Sequence, residues 1–107
     1  MPSYYCVVRY VPDPIKEEQI NIGVIVFGYG CVRTRFTTNW QRVYNFGDND
    51  IGFLKDFVSQ AARLTERRIR EIADRWINTI QLTQPRASEL TLEALLKDVA
   101  QRYLGES

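Results

Sequence analysis

The sequence predicts a small α+β domain, in which an antiparallel sheet of three to four strands packs against about three helices. Up to Thr38 the chain consists of strand-length runs of β-branched and aromatic residues separated by proline and glycine. From Asp50 onward, apolar residues recur at helical spacing instead. A length of 107 residues suits one domain and is too short for two.

The first two predicted strands run from Tyr4 to Val11 and from Ile20 to Phe27. Both faces of the first strand are mostly apolar, which favours a central position in the sheet. The Pro12-Asp13-Pro14 segment ends it, because proline cannot donate to a ladder. The connection through Gln19 is long enough for the two strands to pair antiparallel.

The two faces of the second strand differ in character. Alternation produces two rows, one of Ile20, Ile22, Val24 and Val26, the other of Asn21, Gly23, Ile25 and Phe27. The second row contains an amide beside a hollow at Gly23. We expect an aromatic ring such as that of Tyr5 or Tyr10 to fill this hollow.

A tight turn and an edge strand are predicted next. Gly28-Tyr29-Gly30 suits a turn, since glycine tolerates positive φ. The third strand, from Cys31 to Thr38, has one apolar face and one face that carries Arg33 and Arg35. Such a basic face is typical of an edge strand that charge protects from aggregation.

The following segments alternate between irregular and helical patterns. Asn39 to Asn49 fits neither period, and we interpret it as a loop packed by its own aromatic residues. An apolar stripe through Leu54 predicts a first helix. Its candidate N-cap residues are Asp48, Asn49 and Asp50, and the stripe begins at Ile51. Thr65 can cap a second helix, whose apolar face extends to Ile77.

The last part of the chain predicts one strand and one helix. Thr79 to Thr83 alternates through two apolar residues and can return to the sheet as a fourth strand, which Pro85 ends. Thr91 can cap a final helix with a leucine-rich stripe. Gly105 supplies its C-terminal stop.

Composition excludes several classes of function. The chain has no histidine, which removes Ser-His-Asp and Cys-His catalysis and histidine-containing zinc sites. Two cysteines, Cys6 and Cys31, are too few for a thiolate zinc site, and we expect both to be buried on strands. We therefore expect no cofactor and no metal. No stretch is apolar enough to cross a bilayer, so we expect a cytoplasmic protein without a membrane partner.

One motif resembles a known family. Tyr-x-Val-Val-x-Tyr-Val-Pro-Asp-Pro, starting at Tyr5 and followed by Glu18, Asn21, Gly23 and Val24, resembles the bacterial domain-of-unknown-function family numbered 3037. Leu82-Thr83-Gln84-Pro85-Arg86 and the final helix resemble its C-terminal part. The resemblance implies no activity. It does imply a partner, because family members are frequent genomic neighbours of a kinase that resembles the HipA toxin family.

The candidate binding site consists of Arg9, Asp13, Glu18, Asn21 and Gly23. As a pocket or interface, this cluster would make the protein a non-enzymatic interaction or regulatory module, with a HipA-like kinase as the implied partner. In the structural alternative, Asn21 and Glu18 tie down the loop between the first two strands, and Arg9 pairs with Glu18 or Asp13. A proline-flanked loop positions neither carboxylate for catalysis.

A second hypothesis is a nucleic-acid-binding module that uses Arg33, Arg35, Arg42 and Trp40. Guanidinium groups would contact phosphates, and an aromatic ring would stack on bases. A net charge of +1 means that no global field would assist such binding. An exposed sheet edge would also allow two copies of the chain to pair.

Overall fold

The computed structural model describes residues 2–16, 18–47, 52–77 and 79–105. In this part of the chain, six strands form one antiparallel sheet. They are β1 (Ser3–Asp13), β2 (Glu18–Gly28), β3 (Cys31–Phe36), β4 (Trp76–Ile77), β5 (Ile80–Leu82) and β6 (Arg86–Ser88). The helices are α1 (Trp40–Gly47), α2 (Gly52–Ala61), α3 (Glu66–Ile72) and α4 (Leu92–Leu104). The predicted α+β class is confirmed, and the short strands β4 and β6 are additional to the prediction.

The central strand of the sheet is β1, as predicted. The strand order is β3-β2-β1-β5-β4, and β6 also pairs with β1 beyond the end of β5. Between β5 and β6 lies Pro85, which has no N–H to donate. There the Val7 N–H donates to Thr83 Oγ1 at 2.8 Å, and the Thr83 N–H donates to Val7 O at 3.0 Å. The two short strands are therefore one strand interrupted before Pro85.

The faces of β2 change at a bulge. Val8 pairs with Gly23 and Arg9 pairs with Asn21, so Ile22 is the extra residue. The rows therefore become Ile20, Ile22, Ile25 and Phe27 toward the first three helices, and Asn21, Val24 and Val26 toward α4. The predicted unbroken alternation is wrong, because an inserted residue shifts a period-2 pattern to the opposite face.

Two hydrophobic cores lie on opposite faces of the sheet. The larger core contains residues of β1 and β2 with Val43, Leu54 and Ile69 of the first three helices. In the smaller core, Leu95 and Val99 of α4 contact the opposite face of β1 and β2. Each fully buried aliphatic side chain contributes roughly 1.5–3 kcal/mol of stability. Since α4 packs on β1, β2 and β3, a groove remains beside it over β5.

The segment interpreted as a loop forms α1. Asn39 Oδ1 accepts the backbone N–H of Arg42 at 3.1 Å, which is the bond of an N-cap, and Val43 is buried in the core. The loop interpretation of Asn39 to Asn49 is therefore wrong for residues 40–47. Asp48, Asn49, Asp50 and Ile51 lie outside the described residues.

The second predicted helix is shorter than expected. Thr65 caps α3, as predicted, and its hydroxyl accepts a first-turn N–H at 3.1 Å. The helix ends at Ile72, so the prediction that it extends to Ile77 is wrong. Asp74 adopts φ 59°, and its N–H donates to Leu82 O at 2.8 Å. This bond turns the chain into β4, which pairs with β5.

The last helix has the predicted boundaries. Thr91 Oγ1 accepts the Ala94 N–H at 3.3 Å, and Gly105 follows the helix with φ 68°. Within the described residues, no helix is long and apolar enough to cross a membrane.

The strand β3 forms one edge of the sheet, as predicted. The tight turn before it has positive φ angles, 55° at Tyr29 and 75° at Gly30. Cys31 is exposed on this edge. The prediction that both cysteines are buried therefore holds only for Cys6, where burial raises the pKa of the thiol to about 12.

Candidate functional site

A polar groove with a volume of about 290 Å³ lies beside α4. Its lining residues are Arg9, Asp74, Gln81, Thr83, Gln84, Pro85 and Arg86, and we call it the Arg9 groove. Strand pairing explains the convergence, because Arg9 pairs with Gln81 and Tyr5 pairs with Arg86. Tyr5 and Arg9 are four residues apart and so lie on the same face of β1.

Arg9 is the predicted site residue that lines the groove. It is half-buried, and its Nε is shielded from solvent without a hydrogen-bond partner. The ion pairs of the described residues involve Arg67, Arg68, Arg70 and Arg102. The predicted pairing of Arg9 with Glu18 or Asp13 is therefore wrong. A buried donor without a partner destabilises a fold by roughly 1–3 kcal/mol, so the unpaired Nε lowers the stability of the free protein.

Asn21 lies directly across the β1–β2 ladder from Arg9. Its Nδ2 donates to Tyr103 O at 3.2 Å. Carbonyls in the last turn of a helix lack intrahelical donors, and this bond satisfies one of them. Asn21 therefore ties the end of α4 to the sheet, rather than fixing the loop between β1 and β2.

The two acidic candidates lie at the tip of the β1–β2 hairpin, outside the groove. Asp13 pairs with Glu18 in the ladder, and four residues at roughly 3.3 Å each place Asp13 about 13 Å along β1 from Arg9. Asp13 Oδ1 accepts the Ile15 N–H at 3.0 Å, which stabilises the single 3-10 turn Pro14–Lys16. Glu18 is exposed. The predicted site is thus divided between two regions.

Gly23 has a packing role. It pairs with Phe36 of β3, and a Cβ at this position would overlap the Phe36 ring. That ring also contacts Phe57 edge-on, with 6.4 Å between centroids. The predicted hollow exists, but Phe36 fills it instead of Tyr5 or Tyr10. Gly23 is therefore closed to a ligand.

The four residues of the nucleic-acid hypothesis do not share one surface. Arg33 and Arg35 pair with two valines of β2 that contact α4, which places both arginines on the α4 side of the sheet. Trp40 packs against the opposite core, and Arg42 is exposed on α1 beside it. The sheet itself therefore separates the two pairs.

A tyrosine pair connects the groove to α4. The hydroxyl oxygens of Tyr5 and Tyr103 are 3.3 Å apart. Burial alone would raise the pKa of Tyr5, but the Tyr103 hydroxyl and the Arg86 and Arg102 guanidinium groups outweigh it and hold that pKa below its ordinary value. The pKa of Tyr103 is raised, first by its hydrogen bond to Tyr5 and then by burial.

Arg9 was predicted from the sequence as a site residue, but the other residues that line the groove were not. A signal was present, because Gln81 and Thr83 alternate with the buried residues Ile80 and Leu82. Two polar residues on the outer row of a predicted strand indicate a polar surface beside α4. Asp74 joins the groove only because α3 ends early, which the sequence did not show.

The fold and the groove define a small α+β protein with an unpaired, half-buried arginine in a polar groove. Among the described residues, no group of three or more cysteine, aspartate or glutamate side chains could hold a metal ion. The chain belongs to the family described as "Protein of unknown function (DUF3037)", whose model matches residues 5–104. The resemblance indicated by the N-terminal motif is therefore confirmed. No curated protein and no solved structure matches the chain.

Proposed function

We propose that this protein is a non-enzymatic interaction module that binds a protein partner through the Arg9 groove. The observation that supports the proposal is the half-buried Arg9, whose guanidinium has no hydrogen-bond or ion-pair partner among the described residues. Buried polar groups are almost always paired in native proteins. A partner that supplies an acidic group to the terminal nitrogens of Arg9 would pair the charge that the free protein leaves without an ion pair.

The chemistry of the groove favours binding over catalysis. Arg9 and Arg86 contribute guanidinium groups, which attract anions and are poor general acids and bases. Asp74 Oδ2 accepts a hydrogen bond from the Gln84 amide at 3.1 Å. Histidine, the commonest base near neutral pH, does not occur in the sequence.

The hairpin tip is proposed as a second contact with the same partner. Ile15 is 93% exposed, although the hydrogen bond from its N–H to Asp13 fixes the turn that presents it. A large apolar side chain held in water on an ordered turn is suited to burial in an interface. Ile15→Ser should weaken partner binding and leave the melting temperature unchanged, because the side chain makes almost no intramolecular contact.

The family resemblance implies a HipA-like kinase as the partner. The test is co-expression with a HipA-like kinase from the same genome, followed by size-exclusion chromatography. The groove variant combines Arg9→Gln with Arg86→Gln. The matched control combines Arg33→Gln with Arg35→Gln, which removes the same charge from the same side of the sheet.

We expect the kinase to co-elute with the wild type and the control, and to elute separately from the groove variant. Loss of the complex in the control alone would place the interface on β3 and refute the groove. A wild-type protein that elutes without the kinase refutes this partner. If the wild type binds a single-stranded oligonucleotide at low salt and the Arg33→Gln, Arg35→Gln control does not, the nucleic-acid hypothesis is favoured instead.

A further inference from the structure

The charges of the Arg9 groove indicate the class of ligand. Arg9 and Arg86 contribute two positive charges, and Asp74 contributes one negative charge. A monoanion would leave the groove close to neutral. A dianion such as phosphate would leave a net negative charge in a groove that already contains Asp74, and like charges repel.

The shape of the free group indicates which monoanion fits. A guanidinium presents its N–H groups as a planar fork that matches a carboxylate in a bidentate pair. Arg9 Nε is shielded from solvent, so the donors that Arg9 presents to the groove are its two terminal nitrogens, and Gln81 lies directly beside Arg9 across the β1–β5 ladder. A carboxylate bound end-on would accept hydrogen bonds from both terminal nitrogens together.

The size of the groove admits more than a bare ion. Its volume of about 290 Å³ equals that of roughly ten waters at about 30 Å³ each. This volume accommodates a carboxylate together with the carbon atoms that carry it. Pro85 and the aliphatic stem of Arg9 provide apolar walls for those atoms.

We propose that the Arg9 groove is a carboxylate-binding site, in which Arg9 forms a bidentate pair with a monocarboxylate and Arg86 supplies the second positive charge. This inference rests on the proposed function for the source of the group, which is an acidic side chain or the C-terminal carboxylate of the protein partner. Both sources present the same chemistry to the groove.

The test follows the Nε–H signal of Arg9 by NMR in the ¹⁵N-labelled full chain. The probes are N-acetyl-alanine, which carries a chain-terminal carboxylate, the N-acetyl amide of aspartate, which carries a side-chain carboxylate, and inorganic phosphate. We expect at least one carboxylate to shift the signal saturably, with a Kd on the order of millimolar. Phosphate at about pH 8, where it is mainly dianionic, should bind about tenfold more weakly. The carboxylate with the lower Kd identifies the source.

One variant and its control separate the planar shape of the Arg9 guanidinium from its positive charge. Arg9→Lys keeps the charge but loses the planar fork, and we expect its Kd, followed on the Gln81 backbone amide, to rise about tenfold. Arg33→Gln is the matched control and should keep the wild-type Kd. If the Arg9→Lys spectrum shows loss of the fold, Arg86→Gln replaces it, because this variant removes the second positive charge and should raise the Kd.

Three results would overturn the carboxylate assignment: no saturable shift with either carboxylate, phosphate binding as tightly as the carboxylates, or an unchanged Kd in the lysine variant. The outcome is independent of the co-elution experiment. Failure of the carboxylates together with loss of the kinase complex in the groove variant would refute the assignment and leave the interaction proposal intact. Carboxylate binding without any protein complex would refute the interaction proposal and leave the carboxylate assignment intact.

Discussion

Replacing Arg9 with methionine should make the protein more stable, although the residue is half-buried in the fold. The variant keeps an unbranched apolar stem and removes an Nε that is shielded from water without a partner. A buried unpaired donor destabilises by roughly 1–3 kcal/mol. We expect the lower value, about 1 kcal/mol, because Arg9 is only half-buried and borders an open groove. In a domain of this size the melting temperature would rise by about 4 °C.

The measurement is thermal and urea unfolding followed by circular dichroism, with Arg102→Met as the matched control. Arg102 makes an exposed ion pair with Asp98 at 2.7 Å, and such a pair contributes about 0.3–0.5 kcal/mol. The same substitution should therefore stabilise at Arg9 and slightly destabilise at Arg102. A decrease in stability for Arg9→Met that equals or exceeds the decrease for Arg102→Met would show that the Arg9 guanidinium is satisfied in the free protein, and the argument for a missing partner would fail.

Three further substitutions test the packing that positions the groove. Gly23→Ala should destabilise by about 1–3 kcal/mol because its Cβ overlaps the Phe36 ring, and a Phe36→Leu background should reduce the loss measured by urea unfolding. Thr83→Val leaves the Val7 N–H without its acceptor and should lower stability by about 1–2 kcal/mol, with faster hydrogen exchange at that amide. Thr91→Ala removes the N-cap of α4 and should lower the melting temperature by the equivalent of about 1 kcal/mol.

The sequence was sufficient where local chemistry decides the structure. Thr91 and Gly105 mark the two ends of α4, as the sequence predicted. A hydroxyl and a residue in the left-handed conformation satisfy the backbone groups at helix ends without any tertiary contact. The sequence was insufficient where contacts with residues distant in the chain decide the secondary structure. Trp76 and Ile77 continue an apparent helical stripe, yet a backbone bond from Asp74 to β5 draws them into the sheet. Likewise, the Asn39 cap that begins α1 was present in the sequence, but the aromatic residues after it obscured the helical period.

The candidate site was predicted only in part, for the same reason. Arg9 and Asn21 were placed together correctly because they lie across one hairpin ladder. Asp13 and Glu18 lie farther along the same hairpin, and near neighbours in sequence were mistaken for neighbours in space. The groove needed the pairing of β1 with β5 and β6, which joins residues at least 70 positions apart. No local pattern specifies that register.

The position of Arg9 follows from two irregularities that flank it on either side of β1. On one side the extra residue Ile22 gives β2 a bulge opposite Val8 and Arg9. On the other, the ladder is interrupted between β5 and β6, where Thr83 replaces a backbone acceptor. A regular ladder would satisfy the same backbone groups without a hydroxyl. Bulges are over-represented next to active sites. The bulge on one side of Arg9 and the interrupted ladder on the other support the proposed binding role of the groove.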